Sequence, residues 1–125
     1  MILNVTVREK DPGVYLLSPI GSIDTGTAPI LEKEVDGVLV RSPKAMIFDM
    51  SGVEYISSMG VRVFVKAKKG LKKIGGSLMM IELPPQIKRV FDIIYALPKQ
   101  EIFESIEELD EYLTVMQKKV RDGED

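Results

Sequence analysis

In the segment Asp49-Met50-Ser51-Gly52-Val53-Glu54-Tyr55-Ile56-Ser57-Ser58-Met59-Gly60, an apolar strand runs out into two serines, Ser57 and Ser58, at the mouth of a helix. The first N–H groups of a helix lack partners within it, and its aligned peptide dipoles place roughly half a positive charge there, so an anion is well received. A hydroxyl in that position is suited to carry a phosphate, and Ser58 is the candidate switch. Capping is the plainer reading at either serine: Ser57 is suited to be the N-cap, accepting from a backbone N–H two or three residues on. With about 100° of rotation per residue from Ser58 onward, Arg62, Lys66, Lys69 and Lys73 fall in one row, and Val61, Phe64, Val65 and Leu71 fall on the other side. A basic ridge below a modifiable hydroxyl suits docking onto an acidic protein surface, with Met59 as a neighbouring contact; a solvated helix face explains the same charges. A phosphate on Ser58 would lie where the dipole tolerates it, so its effect is expected on the partner and not on the fold.

Other residue types limit the chemistry. Asp24, Asp49 and Glu54 are placed to meet near the carboxyl ends of strands, but the chain has no histidine and no cysteine, and its carboxylates lack paired spacing. The expectation is therefore no catalysis, no cofactor and no metal. The segment Gly70-Leu71-Lys72-Lys73-Ile74-Gly75-Gly76-Ser77 has glycine where a phosphate-binding loop needs lysine, and it ends a helix where such a loop begins one. With 125 residues, 45% of them hydrophobic, the chain suffices for one domain, taken as residues 1–121 with an acidic tail at 122–125. A formal net charge of -2 argues against nucleic acid as a partner. The sequence has no apolar run near the ~20 residues of a membrane span and no signal-peptide pattern, which suggests a cytoplasmic protein without a membrane partner.

The elements that must position these residues alternate strand and helix. Leu3, Val5 and Val7 alternate with Asn4, Thr6 and Arg8, and Asp11-Pro12-Gly13 turns the chain into a second strand over 14–20. Pro19 suggests that this strand frays or lies near an edge. A polar loop is expected over 21–27, then a helix with Pro29 in its first turn and Ile30 or Leu31, Val35, Val38 and Leu39 facing inward. Ala45-Met46-Ile47-Phe48 and Leu78-Met79-Met80-Ile81 read as strands covered on both faces, joined by a helical crossover into a right-handed parallel unit. Pro84-Pro85 opens a third helix with Ile87, Val90, Phe91 and Ile94 on one side, and a short strand is expected near Glu101-Ile102-Phe103. Ser105 and Glu108 form a capping box for a last helix, whose stripe of Ile106, Leu109, Leu113, Met116 and Val120 is expected against the sheet or a partner.

Taken together, Tyr55-Ile56-Ser57-Ser58-Met59-Gly60-Val61, Lys73-Ile74-Gly75-Gly76 and Pro85-Gln86-Ile87-Lys88-Arg89-Val90-Phe91-Asp92 resemble the bacterial anti-sigma-factor antagonist family, the STAS domain. Gly21-Ser22-Ile23-Asp24 is similar to that family's glycine-x-hydrophobic-aspartate signature, and the ordered likeness runs over nearly the whole chain. The resemblance implies an α/β fold with a mixed sheet, parallel core strands and about four flanking helices. It also implies no enzymatic activity and a partner that is an anti-sigma factor with serine-kinase activity, released when the antagonist is phosphorylated. Carried over by position, the acceptor is Ser58, with Ser57 as fallback, and Asp24 lies near it; Asp24, Ser57, Ser58, Met59, Arg62, Lys66 and Lys69 form the expected partner surface. The chain departs from the family's frequent aspartate-serine-serine/threonine-glycine form, with Ser57 for the aspartate and Met59 for the second hydroxyl residue. Three alternatives remain: a non-catalytic scaffold associating through the last helix, a small-ligand or nucleotide sensor, and a phospho-receiver with Asp49 as nominal acceptor. The receiver fits poorly, since an acidic pair after the first strand is missing.

Overall fold

Residues 2–96 and 105–123 are described by a computed structural model. The elements are β1 (Leu3–Asp11), β2 (Val14–Ile23), α1 (Ala28–Leu39), β3 (Ala45–Asp49), β4 (Val53–Ile56), α2 (Ser58–Lys73), β5 (Ser77–Ile81), α3 (Pro85–Ala96) and α4 (Ile106–Arg121). The strand expected near Glu101 to Phe103 lies outside the described residues, as does the end of the acidic tail.

β2 is the spine of a mixed five-stranded sheet. On one side it pairs antiparallel with β1. On the other it runs parallel first to β3, along residues 14–17, and then to β4, along 21–23. Pro19 sits between these two stretches and is buried, so the expectation of a frayed or edge strand is corrected. Two residues on, Gly21 donates its N–H to Gly52 O (2.9 Å); by the two-residue period, the donor that Pro19 lacks faces the gap between β3 and β4, where no ladder bond is lost. The loop expected from residue 21 is likewise corrected. β2 continues to Ile23 through a register shift at Gly21/Ser22, where Gly21 has φ 121° and a Cβ would sit 2.3 Å from the Ile2 carbonyl oxygen.

β3 pairs with β5 in parallel. The turn at Ser51-Gly52 detaches β4 from β3, a break that the apolar pattern does not reveal. Leu3, Tyr15, Leu17, Met46 and Phe48 are buried in one core with the helices, where Phe64 meets Phe48 and Phe91 edge-on at 4.8 and 5.5 Å between ring centres. The opposite sheet face is not closed by the described elements. β5, expected to be covered on both faces, instead alternates: Leu78 and Met80 turn inward, while Met79 and Ile81 are exposed.

The helical stripes fall as the periodicity requires. Leu31, Val35 and Val38 of α1 are buried, and Ile30 is outside. Ile87, Val90 and Phe91 bury α3. α2 ends at Lys73, and Gly75 takes the left-handed conformation (φ 76°) that closes a helix. Ser105 Oγ accepts from Glu108 N–H (3.1 Å) at the start of α4, whose Leu113 and Met116 are buried against the chain's own core, mainly beside α3. The stripe of the last helix thus has an occupant within the chain.

Candidate functional site

The two serines divide the roles expected of them. Ser57 is extended (φ −94°, ψ 174°) and is the N-cap: its Oγ accepts from Gly60 N–H (3.3 Å), its carbonyl oxygen from Val61 N–H (3.0 Å), and its own N–H goes to Ile23 O (2.9 Å). β4's pairing with β2 therefore fixes where α2 begins. Gly60 is required here because a Cβ would lie 2.7 Å from Ile56 Cγ1 and 2.8 Å from Ile23 O.

Ser58 is the first residue of α2. It is 7% exposed, and its Oγ is buried without a hydrogen-bond partner among the described residues. Its N–H donates to Asp110 Oδ1 of α4 (2.9 Å), so the position that favours an anion already holds a carboxylate of the same chain. A carboxylate of the same chain thus neighbours the expected acceptor, a negative charge that the sequence reading did not include.

Asp110 is the first of three α4 residues that reach this corner. The Thr114 hydroxyl donates to Asp110 O (2.8 Å) and meets Tyr55 OH (3.0 Å). Gln117, 2% exposed, accepts from Ile56 N–H (3.0 Å) and donates to Ile56 O (2.8 Å) and Leu113 O (3.1 Å). Spacings of four and three residues put these groups on one face of the helix. From α3, Gln86 donates to Glu54 O (3.4 Å), so two glutamines meet the edge of β4 that faces away from β2.

Arg62, Lys66, Lys69 and Lys73 are exposed, as expected, and border a groove of about 640 Å³ with Ser58 at its head and walls that include Leu39, Ile94 and Leu109. Val61 and Val65, expected on the side opposite the cations, also line this groove. The charges are not equivalent. Lys66 bridges to α1 through Glu32 (2.6 Å) and Asp36 (3.5 Å), and the Glu32 hydrogen bond, helped by Asp36, holds its pKa above the usual lysine value. Met59 is half-buried beside Arg62, with 3.8 Å from its Sδ to the guanidinium.

The three carboxylates are only partly brought together. Asp24 is tied into its own loop: Oδ1 accepts from Thr27 N–H (2.9 Å) and Thr27 Oγ1 (3.1 Å), while Thr27 Oγ1 accepts from Asp24 N–H (2.9 Å). Asp49 Oδ1 accepts from Ser51 N–H (3.0 Å) in the turn after β3. Asp24 and Glu54 share a cavity of about 360 Å³ with Ser22, Tyr55, Lys118 and Arg121. Among the described residues no group of three acidic side chains could hold a metal ion.

Residues 6–109 match the STAS domain model. The chain belongs to the STAS domain family. It is 32% identical over 93 residues to the anti-sigma-B factor antagonist of Bacillus subtilis, spanning 74% of this chain and 84% of that one. It also superposes on the crystal structure of an anti-sigma factor antagonist from Mycobacterium paratuberculosis with a TM-score of 0.69 and 28% identity, over 93% of this chain and 95% of the other. The structure of the Bacillus protein SpoIIAA in its phosphorylated form shares the fold, with a TM-score of 0.62 at 12% identity over 73% and 83% of the two chains. In this STAS domain the family motif led to Ser57, Ser58 and Gly60, and it did not lead to Asp110, Thr114 or Gln117, which follow the matched stretch. The one signal available for them is a glutamine standing between the apolar positions Met116 and Val120.

Proposed function

We propose that this STAS domain is a non-catalytic anti-sigma-factor antagonist: it binds an anti-sigma factor with serine-kinase activity through the start of α2, and phosphorylation of Ser58 ends the complex. The observation that carries this reading is the placement of Ser58, whose hydroxyl, buried and without a hydrogen-bond partner among the described residues, lies in the first turn of a serine-capped helix at the head of an exposed basic ridge. Kinship with proteins named as anti-sigma factor antagonists supports the kind of partner. Arg62 and Lys69 would steer an acidic surface onto α2, with Met59 adding apolar contact beside them. The protein would act in the cytoplasm, where such a kinase and ATP are found.

The test is incubation with the kinase-type anti-sigma factor and ATP. Mass spectrometry is expected to find one phosphate, on Ser58, and Ser58→Asp is expected to weaken the complex at least tenfold while the chain stays folded. Equal binding by Ser58→Asp and the parent protein would remove the switch.

A second reading, a small-ligand or nucleotide sensor, is favoured by the cavity at Asp24 and Glu54, where Ser22 Oγ is buried without a partner among the described residues. Nucleotide titration followed by amide chemical shifts should then move resonances around residues 22–24 and 117–121 together. Scattered or absent shifts would reject it.

A further inference from the structure

We infer that α4 is a removable cover over Ser58, held by a polar latch, and that the Asp110 carboxylate is a built-in occupant of the anion position at the head of α2. Three observations converge. The Ser58 hydroxyl is out of reach of a macromolecule in the closed arrangement, because the residue is 7% exposed and its Oγ is buried. The N–H beside it is taken by Asp110. The same helix face carries Thr114 to Tyr55 and Gln117 to Ile56, so α4 is fastened to the strand that leads into Ser58 as well as to the helix that follows it. These three residues come after position 109, where the match to the family model ends.

A closed cover sets an order of events. α4 must lift before any enzyme or partner reaches Ser58, and lifting leaves the α2 N-terminus free to take another anion. If Ser58 is the phospho-acceptor, a step that rests on the proposed function, its phosphate would occupy the space beside Asp110, and like charges at that distance would keep the cover from closing again. Modification would then be recorded in the position of α4 as well as in the partner's affinity.

The chain has no cysteine, so Ser58→Cys provides a single thiol whose reaction with a small maleimide reports exposure of position 58 in the folded, full-length protein. With the latch intact, labelling is expected at least tenfold slower than at the exposed position of Ser105→Cys. Adding Asp110→Ala or Gln117→Ala should speed labelling of the Ser58→Cys thiol tenfold or more and leave Ser105→Cys unaffected. Rapid labelling with the latch intact, or no acceleration in latch variants that circular dichroism shows to be folded, would overturn the cover. Should both latch variants unfold, native-state hydrogen exchange on the parent chain decides: the Ile56 and Ser58 amides are expected to open together with α4 and more readily than those of Phe48 and Phe64. Exchange of all these amides at one common, slow rate would overturn the inference. Treatment with kinase separates the two proposals, because an opened variant that acquires no phosphate removes the assigned acceptor while the thiol rates still decide the cover.

Discussion

At the scale of single residues, the corner where β4 meets α2 depends on a few side chains with no substitute. Gln117→Ala would leave the N–H and C=O of Ile56 without partners in a buried setting, and each such orphan costs about 1–3 kcal/mol, so a loss of roughly 2–4 kcal/mol is expected in a urea titration. Ser57→Ala removes the cap alone, with an expected cost of about 1 kcal/mol by the same measurement. Gly60→Ala is expected to cost roughly 1–3 kcal/mol, because a methyl there meets the backbone oxygen of Ile23, which is fixed by the sheet and cannot step aside as a flexible side chain would. Ser57 was legible in the sequence, since capping is a local property written in residue type, whereas Gly60 was legible only as part of the family motif, because its close approach to Ile23 exists only in the assembled sheet. Asp110 and Gln117 were not, because what they touch lies 52 and 61 residues away and hydrogen-bond partners at that distance leave no periodic trace.

At the scale of elements, α1 and α2 are joined at the surface by Lys66, and α4 is matched to its own dipole, with Glu107 and Glu108 in its first turn and Lys118, Lys119 and Arg121 in its last. Because folding raises the Lys66 pKa above 10.5, the tether contributes fully below that value and is lost as the pH rises through the higher folded-state value. Thermal melts of the parent chain and of Lys66→Met should therefore differ near neutral pH and converge at strongly alkaline pH. The difference should also shrink with added salt, since the pair is exposed. Helices and their inward stripes were readable because their period is intrinsic to the chain: Leu31, Val35, Leu113 and Met116 are where spacing put them. Strand boundaries were harder. The extension of β2 to Ile23 and the separation of β4 from β3 depend on pairing between distant segments, and Pro19 misled because its fault falls in a gap that only the assembled sheet creates.

At the scale of the whole molecule, the described elements leave the sheet with one face under helices and one face toward solvent. Leu16, Ile47 and Met79 are neighbours in register across β2, β3 and β5 on the solvent side, whereas Met46 and Phe48 point into the core. The two methionines of adjacent strands thus test the layering directly. Met79→Lys, at a side chain 47% exposed, should shift stability by no more than about 0.5 kcal/mol, while Met46→Ala, fully buried, should cost about 2–5 kcal/mol in the same denaturant titration. The treatment of β4 has a different consequence. A glutamine amide carries the same donor and acceptor as a peptide unit, so at Ile56 the sheet ends on a counterfeit strand one residue long. Whatever lifts that side chain uncovers a genuine template for backbone pairing, and a crowded solution of the lifted form should be where this protein first exchanges segments between copies or begins to aggregate.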